Sequence, residues 1–225
     1  KTLARGQQGV VVKRAMAAFS RAPAGDQTQT EAFKRWFAGS RVVDADGKPL
    51  RVYHGTRGDF AEFSNETGNR GAMGDSVGYY FTESASAASE YGEDGLVMPV
   101  YLSIKNPLRL DGGSTQINRA ELADLLGDSL DGVYGIPDRA QPYWFFKNGG
   151  AYSGRDDARV GDEVVKIAQA KGFDGAVFNE RIGKNVVKVY VAFRPEQIKS
   201  ATGNSGNFDP ANPDIRFSRA TAQSI

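Results

Sequence analysis

The chain carries one histidine, His54, in the run Arg51-Val52-Tyr53-His54-Gly55-Thr56. An imidazole offers a donor and an acceptor on one flat ring, which suits it either to orienting a polar ligand or to satisfying a buried edge. Its neighbours favour the first use. Gly55 has no Cβ to hold a ligand off the backbone, and Thr56 adds a hydroxyl, so the run ends in a compact polar corner. Aromatic side chains are the second resource. Tyr79, Tyr80 and Phe81 stand in Gly78-Tyr79-Tyr80-Phe81-Thr82, Tyr91 closes an Ala/Ser-rich segment, and Tyr143-Trp144-Phe145-Phe146 forms a knot that suits either a satellite of the core or a substrate-facing insertion. No P-loop, GxSxG, HExxH or dinucleotide GxGxxG pattern occurs, which removes the usual motif-based enzyme classes.

Composition narrows the field further. The 225 residues hold 28 Lys and Arg against 27 Asp and Glu, so no global field recruits nucleic acid or an anionic membrane. Cysteine is absent, which excludes disulfides and thiolate catalysis; with a single histidine, no metal cofactor is expected. No stretch reaches the roughly 20 apolar residues of a membrane helix. The length suits one domain with an appendage, and an opening Lys in place of Met reads as a segment of something longer.

The elements that must position these residues follow from local signals. Residues 1–29 read as a basic helix and linker, 30–219 as the main domain and 220–225 as a tail. Thr28-Gln29-Thr30-Glu31 fits a capping box ahead of a helix bearing Phe33, Trp36 and Phe37. Asp46-Gly47 signals a hairpin between 41–44 and 50–53, so His54 is expected to leave the end of a strand. The Gly-rich run 65–75, with Arg70, Gly71 and Gly74, is a candidate lid. Strands are expected over 78–82, 97–104, 173–179, 185–193 and 197–201, and helices over 84–91, 119–126 and 162–171. The second helix has Leu122, Leu125 and Leu126 as its apolar set, and Glu180 falls in a loop between two strands. Phe208, Ile215 and Phe217 suggest that the tail from 203 to 219 lies ordered along the body. Short strands outnumber helices and no repeat appears, which gives an α+β class with a split, mostly antiparallel sheet and short peripheral helices.

Tyr53-His54-Gly55-Thr56, then Gly78-Tyr79-Tyr80-Phe81-Thr82, then the Ser/Ala segment ending in Tyr91, resemble the histidine-tyrosine-glutamate branch of the ADP-ribosyltransferase fold, which includes diphtheria toxin and the poly-ADP-ribose polymerases. The longer run from Phe33 to Phe217 carries Trp36-Phe37, Val42-Val43-Asp44 and Pro195-Glu196-Gln197-Ile198-Lys199-Ser200-Ala201, then Asn204, Gly206, Phe208-Asp209-Pro210 and Asn212-Pro213. In this it is similar to the transferase domains of phage polyvalent proteins and polymorphic toxins.

The resemblance implies NAD as co-substrate, with no metal. It puts His54 on a ribose hydroxyl, the Gly55 backbone on the nicotinamide amide and Thr56 beside it. Tyr80 becomes the tyrosine of the second motif, flanked by Gly78 and Phe81, and Tyr91 the ring that stacks on nicotinamide. Stacking a pyridinium cation on a tyrosine face is worth roughly 0.5 to 2 kcal/mol. Two departures stand out. Ala88 occupies a position where many relatives carry serine, with Ser84, Ser86 and Ser89 nearby to compensate. The glutamate that relatives place at the start of a late strand aligns here with Gln197; a shift by one gives Glu196, and Glu180 is a displaced third choice. A glutamine can orient a ribose but brings no negative charge to a developing cation, which favours single transfer over polymer formation.

The activity so implied is NAD-dependent mono-ADP-ribosyl transfer to a macromolecular acceptor, a protein rather than a nucleic acid. It would act in the cytoplasm of a bacterial host, delivered as an effector or with a phage particle, as part of a larger polyprotein and without a membrane. An NAD glycohydrolase is one rival. A catalytically inactive binding or structural module is the other, favoured by Gln197 and Ala88.

Overall fold

In the computed structural model, Phe33, Trp36 and Phe37 are all buried on helix α1 (Glu31–Phe37), as their helical spacing requires. The structure describes residues 26–215 except 59, 65–69, 72–73, 93–94, 113–114, 149–158, 183 and 205–207. The expected basic helix, residues 65–69 and 72–73 of the candidate lid, and Phe217 lie outside the described residues. Thr30 rather than Thr28 caps α1, its hydroxyl accepting from the Phe33 amide at 3.2 Å. Thr28 sits in a 3-10 turn, Gln27–Gln29, that Asp26 caps. Gln27 is buried there and donates from Nε2 to the Ala201 carbonyl at 2.6 Å, so the ordered fold starts before residue 30.

The chain continues as β1 (Val52–Thr56), β2 (Arg70–Gly71), β3 (Gly74–Ser76), β4 (Tyr79–Thr82), α2 (Ala85–Tyr91), β5 (Leu96–Leu102), β6 (Pro107–Leu110) and β7 (Ile117–Asn118). Then come α3 (Arg119–Leu126), β8 (Arg139–Ala140), β9 (Lys147–Asn148), α4 (Val160–Ala170), β10 (Gly175–Ile182), β11 (Asn185–Ala192) and β12 (Ile198–Ser200). These elements form two compact units, one of residues 1–63, 81–103 and 195–225, the other of 64–80 and 104–194, and the chain crosses between them within β4.

In the first unit the strand order is β12-β5-β1-β4. β1 runs antiparallel to β5 from Val52 opposite Val100 to Thr56 opposite Leu96, and β4 joins it at Thr82 opposite Tyr53. The expected hairpin is reduced to one bridge, Val43 opposite Pro49, with the Asp44 carboxylate accepting from the amides of Asp46 and Lys48. Asp-Gly therefore makes its turn, but the following strand pairs elsewhere, and His54 stands in the middle of β1 instead of after its end. Phe33, Trp36 and Phe37 pack with Tyr101, Ala201 and Phe208, which settles Trp36 as core. The tail is ordered as expected through Ile215. The amide of Ser200 donates to the Ile215 carbonyl at 2.9 Å, and the amide of Ile215 donates to Ala61 at 2.8 Å. Asp214 bridges Glu62, and the fully buried Lys199 ammonium donates to the carbonyls of Asn212 and Asp214. The tail is thus a strap fastened to β12 on one side and to the segment after β1 on the other.

In the second unit β10 and β11 form a hairpin from Gly175 opposite Ala192 to Ile182 opposite Asn185, and β6 runs parallel to β10. The strand extends three residues past the expected end at 179, so Glu180 is a strand residue opposite Val187 and not a loop residue. Leu122 and Leu126 of α3, and Val164, Val165 and Ala168 of α4, share a core with Trp144, Phe145, Phe146 and Phe178. The aromatic knot is thereby largely core, and Leu125 is exposed, one position off the buried face of α3. The whole is α+β with mostly antiparallel pairing, and the four described α-helices are short, 7 to 11 residues. Among the described residues no helix is long and apolar enough to cross a membrane.

Candidate functional site

His54 lies opposite Met98 in the β1–β5 ladder, half-buried, with phenyl rings on several sides. Phe63 meets it edge-on at 5.0 Å between centroids, Phe60 edge-on at 6.2 Å, and Phe81 tilted at 5.5 Å. Phe60 and Phe63 in turn pack on each other at 4.8 Å. Edge-to-face contacts of this kind fix the plane of the imidazole, which is what a group orienting a ribose needs. Phe81 itself is buried, so it backs the imidazole.

Gly55 has a different importance from the one its sequence suggests. A Cβ there would lie 1.7 Å from the Ala88 carbonyl oxygen and 2.7 Å from the Gly92 amide nitrogen. Backbone meets backbone: the C-terminal turn of α2 sits directly on β1. The helix forms because Ser84 caps it, accepting from the Ala87 amide at 3.2 Å, and because alanines present a thin buried face. Ser84 is committed to that cap and to Ser86, 2.9 Å away. The contact holds the end of α2 beside the polar corner, and there Tyr91 is 48% exposed. An exposed aromatic ring on an anchored helix end suits stacking on a flat ligand. The Thr56 hydroxyl donates to the Gly58 carbonyl at 3.1 Å and accepts from the Gly58 amide at 3.2 Å, closing the turn after β1.

The third position stands apart from this corner. Gln197 is buried in the 3-10 turn Pro195–Gln197, and its Nε2 donates to the Ser103 carbonyl at 3.1 Å while the Ser103 amide donates back to the Gln197 carbonyl at 2.8 Å. Glu196 accepts through its carbonyl from the Trp36 indole at 3.1 Å, and its Oε2 is buried without a hydrogen-bond partner. Met98, which faces His54, lies five residues before Ser103. At about 3.4 Å per strand residue this is about 17 Å along β5. The fold does not bring Gln197 or Glu196 to the imidazole.

Gly78 and Tyr80 belong to the second unit. Gly78 has φ +85°, and a Cβ would lie 2.7 Å from Val191 Cγ1, so glycine is required to start this strand. The Tyr80 hydroxyl donates to the Phe146 carbonyl at 3.3 Å, and its ring meets Phe178 edge-on at 6.5 Å. Burial, and then the Glu180 carboxylate, push the phenol well above the usual tyrosine range, against the opposing bond with Ser76; Tyr80 is a neutral donor. Lys147 lies with Nζ 5.2 Å from the Tyr143 ring centre and 5.3 Å from that of Trp144. Burial lowers its pKa, and Glu180 raises it. Tyr80→Phe keeps the ring packing and loses one hydrogen bond, so urea unfolding should register a loss of about 1 kcal/mol.

Sequence reasoning missed the roles of Phe60 and Phe63 around His54, although two phenylalanines three apart just after the polar run were the available signal. It also missed the Lys199 fastening, for which no local signal exists. Among the described residues, no group of three or more His, Asp or Glu side chains gathers as metal ligands would. A family model described as ADP-ribosyltransferase in polyvalent proteins matches residues 44–208, a span that holds every candidate site residue named above. No curated protein and no solved structure matches the chain.

Proposed function

We propose, from the premise that this chain belongs to the family of ADP-ribosyltransferases in polyvalent proteins, that it is an NAD-dependent mono-ADP-ribosyltransferase of the histidine-tyrosine-glutamate branch. The observation that carries the reading is the pairing of an imidazole held in plane by Phe60, Phe63 and Phe81 with an exposed Tyr91 on a helix end seated against Gly55. His54 takes a ribose hydroxyl, the backbone at Gly55 the nicotinamide amide, and Tyr91 the pyridinium face. The bond from C1′ to the nicotinamide nitrogen breaks, and its electron pair leaves with nicotinamide, which becomes neutral. C1′ carries the positive charge until a lone pair on the acceptor forms the new bond, and the acceptor's proton passes to solvent or a base. A protein is the proposed acceptor. The proposed place of action is the cytoplasm of a bacterial host, reached as an effector or with a phage particle.

The test is incubation of the chain with labelled NAD and host lysate, with His54→Ala alongside. Loss of one orienting hydrogen bond should lower transfer by about tenfold, chiefly through KM for NAD. Absence of both label transfer and nicotinamide release from the unmodified chain sinks the enzyme reading; free ADP-ribose without labelled macromolecule identifies a glycohydrolase. The commitment of Gln197 to Ser103 favours a second reading, an inactive binding module, which calorimetry showing no heat with NAD would support.

A further inference from the structure

We propose that Glu180 is the carboxylate that stabilises the ribosyl cation when the nicotinamide bond breaks, an assignment that rests on the transferase reading above. A cation forming at C1′ is stabilised best by an opposite charge held rigidly and away from water, where the interaction is less screened. Gln197 has no charge to offer, and both it and Glu196 sit at the far end of β5 from Met98 and His54. Glu180 meets the requirements. It is 9% exposed, the one acid among the buried polar residues described, and it stands inside β10, paired opposite Val187.

Its surroundings are those of a site wall. Alternation along a strand puts Glu180 on the same face as Phe178, two residues before it. Phe178 meets the Tyr80 ring edge-on at 6.5 Å and stacks on Phe146 at 5.9 Å. Tyr80 donates to the carbonyl of Phe146, so Tyr80, Phe146 and Phe178 make one aromatic surface bordered by the carboxylate. Lys147 and Tyr80 both feel the Glu180 charge. The bland alternative is a buried acid kept as counter-charge to Lys147. That role would show in stability, whereas the proposed one shows in the rate of bond breaking.

The experiment follows nicotinamide release by the full chain and its variants, with thermal unfolding of each. Glu180→Gln should lower kcat by about 100-fold or more, with KM for NAD changed by no more than about threefold. Glu196→Gln should keep kcat within about threefold of the unmodified chain. Glu180→Ala, which leaves room for a small anion, should regain activity with sodium formate and not with sodium chloride. Wild-type kcat in folded Glu180→Gln overturns the assignment and leaves the transferase reading standing, as does a Glu180→Ala response to formate no larger than that to chloride. No nicotinamide release from the unmodified chain removes both.

Discussion

Gly55→Ala is expected to lower stability by about 3 kcal/mol or more and to abolish NAD binding at any concentration calorimetry can reach. The added methyl would sit 1.7 Å from the Ala88 carbonyl oxygen and 2.8 Å from its carbon. Neither is the end of a flexible side chain, so relief requires moving α2 off β1. Gly92 and Gly95 repeat the constraint from the other side: a Cβ on Gly92 would lie 3.0 Å from the Thr56 nitrogen, and one on Gly95 2.4 Å from the Thr56 oxygen. Displacing the helix carries Tyr91 away from the corner, which couples the stability loss to the binding loss. Gly58→Ala is the control, since nothing lies within 4 Å of a Cβ there. Urea unfolding and NAD titration of both variants measure the contrast, and equal behaviour would show that the helix yields easily.

Lys199→Met should cost about 2 to 3 kcal/mol at neutral pH, the scale of hydrogen bonds to a charged group. Methionine keeps the apolar stem but loses the donors to Asn212 and Asp214. The pH dependence has a definite sign. Burial holds the Lys199 ammonium below the usual lysine range, opposed by Asp209, Asp214 and Glu196. The folded chain therefore binds this proton less tightly than the unfolded one. Stability contributed by Lys199 rises as pH climbs from the lowered value towards about 10.4, so alkali does not release the strap. The gap between the unmodified chain and Lys199→Met should widen over that window in parallel urea titrations. A gap that closes would mean that the charge, and not the geometry, holds the tail. Because Ile215 and Asp214 tie the strap to Ala61 and Glu62, the variant should also loosen Phe60 and Phe63 around His54.

Where the cause of a feature was local, it was legible in the sequence. The helix 85–91 announces itself through Ser84, an alanine run and Gly92, all within a few residues, and the α+β class followed from the count of such segments. Partners distant in sequence were not legible. Asp46-Gly47 marked a true turn, but the choice of β5 over the preceding segment as the partner of β1 depends on residues some fifty positions on. Gln197 could be aligned with a strand start, while its side-chain partner, Ser103, is 94 residues away. Gly55 was recognised as special for its openness, and the structure gives the opposite cause, a helix carbonyl filling the space. Glu180 looked like a loop residue beside Arg181, Gly183 and Lys184, because only the register with Val187 shows how far the hairpin extends.

The strap also bears on how such a domain could be inherited. The recognisable segment ends at residue 208, yet the bonds that brace the segment carrying Phe60 and Phe63 come from Asn212 to Ile215, and Gln27 fastens Ala201 from before residue 44. Recombination at the edges of the conspicuous motifs would transplant a histidine without the tension that keeps its surroundings in shape. A working exchange between polyvalent proteins has to cut outside Gln27 and Ile215, so the unit of evolutionary shuffling is longer than the unit of recognition.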